Sequence, residues 1–230
     1  MADAQAREKI LGAFLTLLAE KRFERIELLE VAQLANVSLA DLRGEFGSTF
    51  DMVAAFMRET DKKVLSGGEQ LKLDPELADQ SARDRLFEVL MRRFEALSPH
   101  REAVRSLYRS ARCNPRLAMA LNKLSVRSQQ WMLSAAGIGS SGMIGGMRAQ
   151  ALSGFFARAT QTWLNDEDPG LARTMASLDR QLETAERLAG LAKEACRFVP
   201  GFAPRRRADR DEAQDYRDRA QPDPNAPVAV

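Results

Sequence analysis

Apolar residues recur along this chain at the three-and-four spacing of a helix with one buried face, in short segments at first and in longer ones after residue 80. Ile10, Ala13, Phe14, Leu17 and Leu18 mark a first helix, and Phe23 and Ile26 follow at a break. Leu28, Val31, Ala32 and Ala35 mark a short second helix that stops at an Asn36-Val37 turn. Ser38, with Asp41 three residues on, has the form of a helix N-cap and its partner. A third helix therefore starts there, buries Leu42 and Phe46, and ends at Gly47-Ser48. Ser48 with Asp51 repeats the device and opens a fourth helix through Met52, Ala55 and Phe56 to about Leu65.

A polar stretch with Pro75 separates these helices from longer ones. Ser81 caps a helix carrying Leu86, Phe87, Leu90, Met91, Phe94 and Leu97, and Ser98-Pro99 ends it and starts the next, since proline fits a first helical turn. That next helix carries Val104, Leu107 and Tyr108. Asn114-Pro115 opens another with Leu117, Leu121, Leu124, Trp131 and Met132. The run GIGSSGMIGG, Gly137 to Gly146, reads as a loop or loose helix start; its glycines lack a preceding strand and the regular spacing of a phosphate-binding loop. A helix follows over about Met147 to Asn165 with Leu152, Phe155, Phe156 and Trp163, and a last one starts at Asp168-Pro169 with Leu171, Met175, Leu178 and Leu182. No run has strand periodicity, so the expected fold class is all-α. The expected division is a head over residues 1–66, a linker over 67–80, a helical body over 81–195 and a solvated, disordered tail over 204–230.

Composition narrows the function. With 230 residues, 45% of them hydrophobic, the chain buries a real core. A net charge of +2 leaves any nucleic-acid surface to local clustering. Cys113 and Cys196 lie far apart without metal-ligand spacing, and the single histidine, His100, has no positioned nucleophile, so neither catalysis, a metal nor a cofactor is expected. No apolar run spans a bilayer, and Met1 to Lys9 lacks the apolar stretch of a signal peptide, which predicts a cytoplasmic protein without stable membrane insertion.

The stretches ILGAFLTLLAEKRFE and LLEVAQLANVSLADLRGEFGSTFDMVAAF resemble the helix-turn-helix head of TetR-family transcriptional regulators. Val31, Ala32, Ala35, Val37, Ser38, Leu42 and Phe46 stand where that family has its structural residues. Its polar positions differ: Leu39, Ala40 and Asp41 replace a Lys-Gly-Thr-like stretch, Arg43 replaces a phosphate-contacting Tyr, and Thr49 replaces a Lys. The third helix is thereby net acidic, with Arg43 between Asp41 and Glu45. In the body, RDRLFEVLMRRFEALSPH and TWLNDEDPGLARTMASLDRQL look like TetR-type regulators of α-proteobacteria, and also like the TetR-fold lipid-binding accessory proteins of ubiquinone biosynthesis.

The resemblance implies a homodimeric regulator that binds double-stranded DNA through Lys21, Arg22, Arg25, Ser38, Leu39, Ala40, Arg43 and Thr49. It also implies an apolar small-molecule effector. Candidate pocket residues are Phe87, Met91, Phe94, Tyr108, Trp131, Met132 and Phe155. Candidate dimer-interface residues are Ala151, Gly154, Trp163, Met175, Leu178 and Leu182. A second function stays open: a lipid- or isoprenoid-binding accessory protein with a vestigial head. The acidic third helix favours it, and the charged, Pro-rich tail counts against it.

Overall fold

Capping serines and asparagines delimit most helices of the computed structural model, which describes residues 2–67 and 80–197. The head comprises α1 (Ala2–Glu20), α2 (Leu28–Ala35), α3 (Leu39–Glu45) and α4 (Thr49–Ser66), with a 3₁₀ turn over Phe23–Arg25. The body comprises α5 (Ala82–Leu97), α6 (Arg101–Cys113), α7 (Pro115–Ala135), α8 (Gly142–Leu164) and α9 (Ala172–Arg197). No strand occurs among the described residues, as an all-α fold requires. The expected linker and tail fall largely or wholly outside the described residues.

Local chemistry explains the boundaries. Ser38 Oγ accepts from the Asp41 amide at 3.0 Å while Asp41 accepts from the Ser38 amide, a reciprocal cap on α3. Glu27 and Glu30 form the same box on α2. Asn36 ends α2 at φ 53°, a left-handed position that asparagine tolerates. Ser48, Ser81 and Asn114 cap α4, α5 and α7.

Two boundaries differ from expectation. The second half of the glycine-rich stretch is helical: α8 starts at Gly142, not near Met147. Gly137 and Gly142 take positive φ of 73° and 67° on either side of the α7–α8 turn, where other residues are strained. The start of α9 is Ala172, not Asp168-Pro169. Asp168 accepts from the amides of Gly170 and Ala172, and buried Asp166 accepts from the Thr174 amide and hydroxyl at 2.8 and 2.7 Å. Burial opposes ionisation of Asp166, but the Thr174 and Asp168 donors outweigh it and hold its carboxyl below its ordinary value.

Helix α7 is central to the body and packs against α4, α5, α6 and α8. Helix α1 packs against its head neighbours and along α6. Together these helices form one compact unit that extends to Glu186. Its core runs continuously from Ile10 and Phe14 through Met52 and Leu90 to Phe94, Trp163 and Leu178. Among the described residues, no helix is long and apolar enough to cross a membrane.

Candidate nucleic-acid interface and body interior

The outward side of α3 is short and sparsely charged. Leu42 faces the core, while Leu39, Ala40, Arg43 and Gly44 are exposed. Leu39 and Arg43, four residues apart, share one side of the helix. Asp41 is held in its cap by Ser38. Glu45 pairs with Arg7 of α1 at 3.3 Å, and the same guanidinium lies 4.5 Å from the centre of the Phe46 ring. Neither acid is therefore bare. Arg43 makes no ion pair or hydrogen bond among the described residues and is the unengaged cation of α3. Thr49 opens α4 just beyond the α3–α4 turn, half-buried.

Next to this surface the first turns of α2 are locked to α1. Lys21 donates to Glu30 at 2.7 Å; that ammonium, then the Glu27 amide, holds the Glu30 carboxyl below its ordinary value. Beyond it the chain is tied to α6: Ser106 Oγ donates to the Lys21 carbonyl at 2.6 Å, and the Phe23 amide donates to Ser110 Oγ at 3.1 Å.

Inside the body lies a buried polar group that bridges head and body. Asp61 of α4 and Arg93 of α5 are 2.8 Å apart, with side chains only 12% and 4% exposed. Ser128 of α7 donates to Asp61 at 2.6 Å and receives a short hydrogen bond from Arg93. Burial pulls the Arg93 pKa down and Asp61 pushes it back up. Beside the pair, the Phe94 and Phe156 rings stack at 4.8 Å, and Trp163 lies 5.6 Å from Phe94. On the surface above, Phe87, Met91, Arg101, Leu171 and Met175 line part of a groove of about 810 Å³.

Solved structures that match most of the chain include two TetR regulators. A TetR transcriptional regulator from Nitrosomonas europaea is 22% identical with a TM-score of 0.61, over 79% of this chain and 98% of its own. A TetR transcriptional regulator from Rhodococcus is 20% identical with a TM-score of 0.55, over 80% and 97%. The chain has the TetR fold. No protein-family model matches it, and no curated protein matches it.

Within this TetR fold the residues picked out from sequence separate into groups. Ser38, Leu39, Ala40, Arg43 and Thr49 cluster on and beside α3. Lys21 is engaged by Glu30 instead of being free for phosphate. Arg22 and Arg25 line a concavity with Glu24, Cys113, Asn114 and Arg116, because the hydrogen bonds to Ser106 and Ser110 hold their segment against α6.

The body requires three corrections. An open apolar cavity between the helices is not what the expected residues form. Phe94 and Met132 are fully buried in the packed core, and only Phe87 and Met91 of the set line the groove. Tyr108 and Phe155 are half-buried, and the Tyr108 hydroxyl donates to the Ala157 carbonyl at 3.1 Å. Trp131 is 57% exposed, because it shares the outer side of α7 with Lys123 and Arg127. Trp163, Leu178 and Leu182 are buried within the chain itself and present no surface to a partner. Trp163 follows Leu152, Phe156 and Ala159 along the inward side of α8, whereas Met147, Ala151, Gly154 and Arg158 follow one another along the outward side. Met175 is also exposed.

Sequence reasoning missed Asp61, Arg93, Ser128 and Gln129. The signal was present in α5, where Arg93 occupies a position of the Leu86, Leu90, Leu97 stripe.

Proposed function

We propose that this protein is a homodimeric TetR-type transcriptional regulator, with residues 1–66 as its DNA-binding head and residues 81–195 as its effector-binding and dimerisation body. The observation that carries the reading is the outward side of α3: Leu39, Ala40 and an unengaged Arg43 are exposed while Asp41 and Glu45 are occupied internally. Arg7 thereby balances the Glu45 charge beside the side of α3 where DNA would lie. Arg43 has the length and fork geometry to bond a guanine edge, and Leu39 and Ala40 suit thymine methyl groups. Ser38 and Thr49 flank them at two helix N-termini, where phosphate is favoured.

Two such heads need a dimer. The exposed Met147, Ala151 and Gly154 of α8, with Met175 of α9, offer a small-residue side suited to close approach of a second copy. Direct ties between α6 and the end of α1, and the Asp61–Arg93 pair, connect the body to the head mechanically. A small molecule bound in the body shifts the heads by as much as its affinities for their arrangements differ.

Selection from a random-sequence duplex library, followed by fluorescence anisotropy of the selected DNA across a salt series, tests this. The expected result is a selected site bound well above random DNA. Arg43→Ala should weaken that binding by about 1–3 kcal/mol, roughly tenfold or more. A library that yields no enriched sequence overturns the reading.

A further inference from the structure

Three arginines from two distant segments line one concavity of about 620 Å³. Arg22 and Arg25 come from the connection between α1 and α2, and Arg116 from the first turn of α7, with Cys113 and Asn114 beside it. All three are exposed, and among the described residues none of their guanidinium groups has a hydrogen bond or a carboxylate at ion-pair distance. The one carboxylate lining the concavity, Glu24, is already occupied: Asn114 Nδ2 donates to it at 3.4 Å. Burial opposes its ionisation, but its own backbone amide, Ser110, Asn114 and the Arg22 charge outweigh that and hold its carboxyl below its ordinary value. The body wall adds no other acid, because from Ala103 to Asn165 the chain carries eight arginines and lysines and no Asp or Glu. The concavity therefore holds a positive excess that nothing around it balances. Its two walls are fixed relative to each other, since Ser106 donates to the Lys21 carbonyl and the Phe23 amide donates to Ser110.

We propose that Arg22, Arg25 and Arg116 form a binding site for a soluble, phosphate-bearing small molecule, held where the head meets the body. None of the lining residues belongs to α3, so the site is separate from the side of the head assigned to DNA and does not rest on the regulator reading. Charge selects the ligand first. Three guanidinium groups against one carboxylate match a phosphate ester, which carries about 1.5–2 negative charges at neutral pH, better than a monoanion. Geometry selects it next. The arginine fork suits phosphate oxygens, and a tetrahedral phosphate accepts from several directions, as donors on two walls require. A carboxylate offers its two oxygens in one plane. The concavity is of the size that small-molecule sites have, and no aromatic side chain lines it, so recognition falls on the phosphate and not on a ring. A ligand held by both walls adds a tie between head and body beside those of Ser106 and Ser110.

Calorimetry on the full-length protein, at low and matched ionic strength, measures binding of pyrophosphate and of succinate, a dicarboxylate. The expected result is saturable binding of pyrophosphate, at least tenfold tighter than succinate, that weakens as sodium chloride is added because the guanidinium groups are exposed. Arg116→Ala should lower the affinity at least fivefold. The fold tolerates that change, since a cation in the first turn of a helix opposes the macrodipole. Arg109→Ala, an exposed arginine outside the concavity, should leave the affinity unchanged. Location is read from Cys113 in a Cys196→Ser background, where it is the only thiol. Pyrophosphate should slow its alkylation by iodoacetamide at least threefold. Absence of saturable binding, equal affinity for succinate, unaltered affinity in Arg116→Ala, an equal loss in Arg109→Ala, or an unprotected Cys113 overturns the proposal. If pyrophosphate does not bind and Arg116→Ala weakens binding of the selected DNA, the arginines serve the DNA backbone and the soluble ligand is overturned. Pyrophosphate binding without selected DNA supports the site and removes the regulator reading; selected DNA without pyrophosphate binding does the reverse.

Discussion

Replacing Asp61 with asparagine keeps the shape of the buried pair and removes its negative charge. Arg93 is then a buried cation with a hydroxyl and an amide for company, because its side chain is 4% exposed and water cannot replace the carboxylate. Breaking a buried pair from one side costs about 3–5 kcal/mol. For a chain of this size each kcal/mol moves Tm by about 2–4 °C, so Asp61→Asn should lower it by about 6–20 °C. A surface pair supplies the scale for comparison. Lys62–Glu59, with side chains 71% and 44% exposed, should lose less than about 1 kcal/mol in Glu59→Gln. The double variant Asp61→Asn/Arg93→Met removes both charges and should recover much of the loss, since an apolar replacement of a buried pair is often neutral or better. The assay is thermal unfolding by circular dichroism at one fixed protein concentration, which holds any dimer contribution constant. An Asp61→Asn protein that melts within 2–3 °C of the parent (about 1 kcal/mol), or a double variant as unstable as the two single losses added, would refute the view of this pair as a desolvated, mutually dependent unit.

Other consequences are equally direct. Gly44→Ala, in open space on α3, should stabilise the protein by about 0.5–1 kcal/mol through helix propensity. Gly145→Ala should instead destabilise it by about 1–3 kcal/mol, because a Cβ there runs into the Ser140 backbone; paired melts decide both. His100 is the one histidine of the chain, and burial first, then the nearby Lys63 charge, lowers its pKa below 6.5. Since the unfolded chain takes up that proton first, stability should fall as pH drops below about 6.5 and be constant above it with respect to this group. His100→Gln should flatten Tm between pH 7 and 5, and an unchanged slope would contradict the assignment. Ala151→Arg, on the outward side of α8, should convert dimer to monomer in analytical ultracentrifugation without lowering helix content; a dimer that survives places the interface elsewhere.

Helix identity was legible because it depends on local chemistry. Ser38 with Asp41 and Ser48 with Asp51 cap the helices they were expected to open, and Asn36 makes the turn between α2 and α3. The resemblance in the head depended on residues of this kind, small or apolar and at local spacings, and the fold agrees with it. Where glycine and proline carried the inference, local reading was weaker. The stretch after Gly137 could be loop or helix, and long-range packing together with two positive-φ glycines made it helix from Gly142.

The side on which a residue sits was another matter. An apolar side chain looks the same in sequence whether it meets its own chain, a partner or a ligand. Trp163 and Phe94 share the centre of the core, and Trp131 lies on the outer side of α7, although all three have the same aromatic character. Charges behave likewise. The acidic aspect of α3 was visible in the sequence, but the pairing of Glu45 with Arg7, thirty-eight residues earlier, required α1 to pack beside α3. The pairing of Asp61, Arg93 and Ser128 joins three helices across sequence separations that no periodicity encodes. The sequence by itself determined the helices, their caps and the order of head and body, because those follow from contacts within a few residues. Tertiary structure alone decided which polar groups were desolvated, which were paired and which were left open, because those outcomes depend on what distant segments place beside them.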